Sequence, residues 1–190
     1  MKSLESIYNS ILLENQNTNN IDIELLKKCV EGTYTINEDG SIDVDGDVNL
    51  YNKNLTKIPF KFRNVSGYFS CNNNQLTSLE GAPSSVGGCF YCHNNQLISL
   101  KGAPSSVGDF FYCDNNQLTS LEGAPSSVGG EFYCFNNSNL PYSELFKIVD
   151  NVKDDIYYSS DITPKDKDKI RRDRDVKNVL KDDELGDLDV

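Results

Sequence analysis

A chain of 190 residues that holds one histidine, His93, has little material for enzyme chemistry. General-base dyads and most zinc sites draw on histidine, so its scarcity removes many catalytic and metal-binding arrangements. The spacing of a phosphate-binding loop is missing, as is a paired general acid and base. No apolar run approaches the ~20 residues that span a bilayer, and the N-terminus lacks the basic start and apolar core of a secretory signal. These absences predict a soluble, cytoplasmic, non-enzymatic protein with no metal and no cofactor. Basic residues are outnumbered, 18 Lys and Arg against 29 Asp and Glu, for a net charge of −11. The charge is spread along the chain, which disfavours nucleic acid and anionic membrane as partners.

What the chain does have is a period. GAPSSVG begins at Gly81, Gly102 and Gly123, 21 residues apart. Turns of 20 to 29 residues are too small to bury their own apolar side and must stack, which is the signature of a solenoid. Alignment by turn puts Phe69, Phe90, Phe111 and Phe132 in one column and Cys71, Cys92, Cys113 and Cys134 in another. Asn74, Asn95, Asn116 and Asn137 form a third. Leu76, Leu79, Val86 and their repeats supply the rest. In F-x-C the two residues are two apart, so on a strand both point to one face. Turns stacked at roughly 4.8 Å then make a parallel sheet. The Asn column turns inward after the strand to satisfy backbone groups that leave the sheet, forming a structural ladder. Gly and Pro on the return path argue against a helix there and predict extended or short 3₁₀ segments.

The string F-x-C-x-x-N-x-L-x-x-L resembles the leucine-rich-repeat pattern L-x-L-x-x-N-x-L, with Phe and Cys at the first two apolar positions. The resemblance covers about 47–140 and is closest to short repeats of bacterial effectors and tailed phages. It implies a leucine-rich-repeat solenoid with a curved parallel sheet and a concave binding face.

The flanks read differently. Leu4, Ile7, Tyr8, Ile11 and Leu12 have helical spacing over 3–14, and a second helix is expected from Ile21 to about Val30. Thr33 to Asn37 and Ser41 to Val44, around a turn at Glu38 to Gly40, read as a β-hairpin, so 1–46 is an N-terminal helix and hairpin cap. The first of about five coils, Asp47 to Gly67, has Lys53 where the ladder Asn belongs. Asp39, Asp43, Asp45 and Asp47 lack the spacing of a calcium loop. At the other end Asn139 takes the Leu position and Leu140 follows it, which places the end of the solenoid at 140. Pro141 and Ser143 open a helical cap over 141–160, and 161–190 reads as a charged helix or mobile tail.

Four of six cysteines fall in the inward column and are expected to be reduced core thiols. Cys89 and Cys92 spell C-x-x-C, but their odd offset puts the sulfurs on opposite faces. Cys89 and His93 share the outward face about 13 Å apart, too far for a dyad. The outward positions carry aromatics: Tyr91, Tyr112 and Tyr133 form a column flanked by Phe110 and Phe135, with Tyr68, His93 and Asp114 beside it. His93 is expected to face solvent. Cross-strand stacking alone explains such a column. Partner binding explains it too, because tyrosine is common among interface hot spots. The favoured reading is a protein-binding face whose partner, for a phage protein, is a host protein. The alternative is a virion-associated capsid passenger, since Leu12-Leu13-Glu14 resembles the cleavage site of a packaging leader.

Overall fold

The computed structural model describes residues 21–158 and 164–186. The expected helix over 3–14 and the leader ending at Glu14 lie outside them. Helix α1 (Ile23–Cys29) starts at Asp22, whose carboxylate accepts from the Leu25 amide at 2.9 Å, and ends where Val30 turns extended. Strands β1 (Val30–Ile36) and β2 (Ile42–Asn49) pair antiparallel. Midway along the pair Gly32 faces Gly46, both at positive φ, and a Cβ on Gly46 would lie 2.1 Å from the Glu31 carbonyl oxygen. On either side of Gly46, β2 enters two different ladders. Its first half pairs parallel with β3 (Phe62–Val65), and its second half pairs with β4 (Phe69–Ser70).

Every later repeat contributes one short strand to each ladder. The Phe ladder runs β2, β4, β6 (Phe90–Tyr91), β8 (Phe111–Tyr112), β10 (Phe132–Tyr133) and β11 (Ile156–Tyr157). The Val ladder runs β2, β3, β5 (Ser85–Val86), β7 (Ser106–Val107) and β9 (Ser127–Val128). Equal turn lengths keep identical residues opposite one another, as in Phe90 opposite Phe111 and Val86 opposite Val107. The molecule is therefore a parallel β-solenoid of about six turns. Its return path is extended, and Ser-Val pairs on it make a second hydrogen-bonded ladder, with Val inward and Ser outward. Between the two ladders the chain turns a corner at Gly87, Gly108 and Gly129. A Cβ at Gly108 would sit 2.0 Å from the Gly87 carbonyl oxygen, so only glycine lets successive corners approach this closely.

The core is columnar. Phe69, Phe90, Phe111 and Phe132 are fully buried and stacked with centroids 5.0–5.5 Å apart and planes within 13° of parallel. Cys71, Cys92, Cys113 and Cys134 are equally buried free thiols, and burial pushes each thiol pKa up. Leu76, Leu97 and Leu118 and then Leu79, Leu100 and Leu121 line the next corner.

The expected end at 140 is overturned by a sixth turn. A 3₁₀ helix (Tyr142–Lys147) leads to Val152, which bridges Val128 in the Val ladder, and then to β11, whose Ile156 faces Phe132. Leu140, Leu145, Ile148 and Val149 are buried and continue the core without repeating the earlier letters. The slip at Asn139 marks a longer turn, not a stop. Strand β12 (Pro164–Lys165) then pairs antiparallel with β11. Helix α2 (Lys167–Gly186) follows, with Ile170 buried and Arg171 and Arg174 bonded to Asp150 at 2.9 and 2.6 Å.

Candidate binding face

The alternation of the Phe ladder puts three columns of side chains on its outer face. The middle column reads Asn49, Ser70, Tyr91, Tyr112, Tyr133 and Tyr157, two rungs of small polar residues followed by four tyrosines. Ring centroids are 5.0 Å apart between Tyr91 and Tyr112, 4.4 Å between Tyr112 and Tyr133, and 4.5 Å between Tyr133 and Tyr157. The planes lie within 14° of parallel. One strand spacing sets this separation, because in-register parallel rungs place like residues one above another. Tyr157 comes from the sixth turn, whose divergence hid it from the repeat alignment. Phe110 meets Tyr112 edge-on at 6.2 Å, and Phe135 meets Tyr133 edge-on at 6.4 Å. Tyr68 stands across Tyr91 at 6.3 Å. Six of the eight predicted face residues, Tyr68, Tyr91, Phe110, Tyr112, Tyr133 and Phe135, are therefore joined by ring contacts.

Stacking changes what that surface offers. Tyr112 and Tyr133 each spend both ring faces on their neighbours, which leaves their ring edges to the surface. The rings are half-buried, and burial raises the pKa of Tyr91, Tyr112 and Tyr133, with the Glu131 carboxylate bonded to the Tyr133 hydroxyl raising it further.

His93 is only partly open to solvent. Its ring is wedged edge-on between Tyr91 and Tyr112, 6.1 and 6.0 Å from their centroids. Nε2 lies 2.9 Å from the Asn72 amide, and Nδ1 is enclosed without a hydrogen-bond partner. Asp114, one rung on, is 6% exposed and takes a hydrogen bond from the Asn115 amide at 2.6 Å. Burial lowers the His93 pKa and raises that of Asp114, each partly opposed by the charge of the other. Ser70 donates to Asn72 at 2.7 Å, so Ser70, Asn72 and His93 form one polar chain. Tall neighbouring rings bury these outward polar residues, which alternation alone does not foretell. Cys89 is directed to Asp109, 3.4 Å away, and not to His93.

Beneath the face, the Asn column ties each turn to the one before. The Asn95 amide donates to the Cys71 and Cys92 carbonyls at 3.1 Å and to His93 at 3.3 Å, and its oxygen accepts the Leu76 amide at 3.0 Å. Asn116 and Asn137 repeat this set one and two turns later. Asn74, at the start, takes two amides, Lys53 and Leu55, in the turn that lacks its own ladder Asn. The neighbouring Asn73, Asn94, Asn115 and Asn136 adopt left-handed backbone with φ of 52–56°, a conformation asparagine tolerates better than other non-glycine residues.

The four aspartates of the hairpin are occupied. Asp39 binds Ser41 and Lys61, Asp43 binds Arg63, Asn64 and Asn37, Asp45 binds Ser66, and Asp47 accepts the Tyr68 amide at 2.7 Å. No helix among the described residues is long and apolar enough to cross a membrane. No protein family, curated protein or solved structure matches this chain.

Proposed function

We propose that the protein is a non-enzymatic, leucine-rich-repeat-type binding solenoid that holds a protein partner against its tyrosine face. The observation that carries this reading is the concentration of Tyr68, Tyr91, Phe110, Tyr112, Tyr133, Phe135 and Tyr157 on one ladder surface, edge outward. The outward positions of the Val ladder are polar instead, with Ser85, Ser106 and Ser127 continuing from Asp43 and Asn64. Ring edges and phenol hydroxyls on a rigid scaffold give large contact area at low entropic cost. The likeness of the repeats to phage proteins points to a partner in the host cytoplasm.

The experiment is affinity capture from bacterial lysate, followed by affinity measurement with the purified partner. Tyr112→Phe is the informative variant, because it keeps the ring in its stack and removes only the hydroxyl. A central contact predicts weakening by about 1–2 kcal/mol with little change in stability. Partner binding unchanged in Tyr112→Phe, Tyr91→Phe and Tyr133→Phe would remove the tyrosine face as the site.

A further inference from the structure

The tyrosine column has an open end. Tyr91 is stacked on Tyr112, but no ring lies parallel on its other side, where the same column continues as Ser70 and Asn49. The missing rings leave a depression of about 410 Å³, lined by Asn49, Tyr51, Tyr68, Ser70, Asn72, Tyr91 and His93. Tyr91 forms its end wall and Ser70 and Asn49 its floor. Tyr68 stands on one side, with Tyr51, Asn72 and His93 on the other. The volume falls near the small end of sites that hold compact ligands.

Two features identify the occupant. The first is spacing. Rings in this column repeat at 4.4–5.0 Å, so a planar group placed one rung below Tyr91 lies over Ser70 at stacking distance. The second is charge. None of the seven lining residues is charged, while Glu31 and Asp47 lie close enough to raise the Tyr68 pKa, after burial. Lys61 and Arg63 lie on the Val-ladder side, away from this slot, and are paired with Asp39 and Asp43. Asp47, which accepts the Tyr68 amide at 2.7 Å, puts a carboxylate beside the mouth and favours a positively charged neighbour to the inserted ring.

We infer that this slot binds an aromatic side chain of the protein partner that is flanked by Lys or Arg, the ring continuing the tyrosine stack. The inference rests on the protein-binding reading and adds where the partner is anchored and by what chemistry.

The chain contains no tryptophan, so a tryptophan probe can be watched alone by its fluorescence. Blocked Trp-Arg and Trp-Glu dipeptides are titrated against the full chain. Saturable binding is expected, tighter for Trp-Arg, with the gap between the two closing as salt rises. Ser70→Tyr fills the slot from within and abolishes binding. Tyr91→Leu removes the stacking wall and weakens it at least about fivefold, the worth of one aromatic pair. Asn49→Tyr serves as the second filling variant should Ser70→Tyr not fold. No saturable binding, or binding unchanged in folded variants of both kinds, overturns the slot, and equal affinity for the two dipeptides overturns the basic partner. Concentration-dependent dimerisation lost in Ser70→Tyr also overturns the inference, because the ring would then come from a second copy. Failure here leaves the tyrosine face standing on its own capture experiment, and loss of that face leaves probe binding in the slot measurable.

Discussion

Replacing Asn95 with Ala removes the buried ladder bonds that tie the Leu76 turn to the next one. The Asn95 side chain lies 9% exposed between them. Without it the Leu76 amide, held at 3.0 Å by the Asn95 oxygen, faces an apolar interior with no acceptor. One buried unsatisfied donor costs about 1–3 kcal/mol. The three carbonyls served by the Asn95 amide lose a weaker share each, since a carbonyl oxygen has a second lone pair. The sum is about 2–4 kcal/mol, a large part of a typical 5–15 kcal/mol stability. Its neighbour Asn94 is the matched control, because it carries the same chemistry but points outward. Ala there forces a Cβ-bearing residue without a local hydrogen bond into φ +53°, costing about 1 kcal/mol, whereas Gly costs little. Urea unfolding followed by circular dichroism should therefore rank Asn95→Ala as most damaging, then Asn94→Ala, then Asn94→Gly. An Asn95→Ala midpoint within error of Asn94→Gly would refute the ladder as an energetic element, whatever its geometry.

Tyr112→Ala should lower stability by about 1–3 kcal/mol, because it breaks two stacked pairs, while Tyr112→Phe should be nearly neutral; equal effects in thermal melts would mean that the stack carries no energy. A bulky thiol reagent should label Cys89 first and reach Cys71, Cys92, Cys113 and Cys134 only on unfolding, as mass mapping of the labelled peptides will show. Gly108→Ala pushes a methyl into the Gly87 carbonyl and should cost about 1–3 kcal/mol or more by chemical denaturation. Asp114 has a folded pKa above its unfolded value, so the native state binds more protons between the two and stability falls as pH rises through that window. Asp114→Asn should then be the more stable form at neutral pH, with the gain fading on acidification to the ordinary carboxylate range. A gain that grows on acidification would contradict the sign.

The 21-residue period was sufficient for much of this architecture. Turns of equal length, stacked in parallel, must place Phe90 over Phe69 and Asn95 over Asn74, and F-x-C must point both side chains inward, because strand alternation is a local property of the backbone. The same alternation picked out the tyrosine column and separated Cys89 from Cys92. Other features depended on what lies one turn above or below a residue. Strand β2 joins the two ladders on either side of Gly46, yet in sequence Gly46 is only one glycine in an acidic strand. The sixth turn keeps the spatial columns while abandoning their letters and lengthening the chain between them, so Tyr157 joins the stack unannounced. His93 and Asp114 alternate outward as expected, but rings from neighbouring rungs close over them, and burial, not direction, sets their chemistry. The open slot at Ser70 is decided in the same way. A serine in an outward column is unremarkable in sequence, and it becomes a floor only because Tyr91 on the next rung leaves one ring face uncovered.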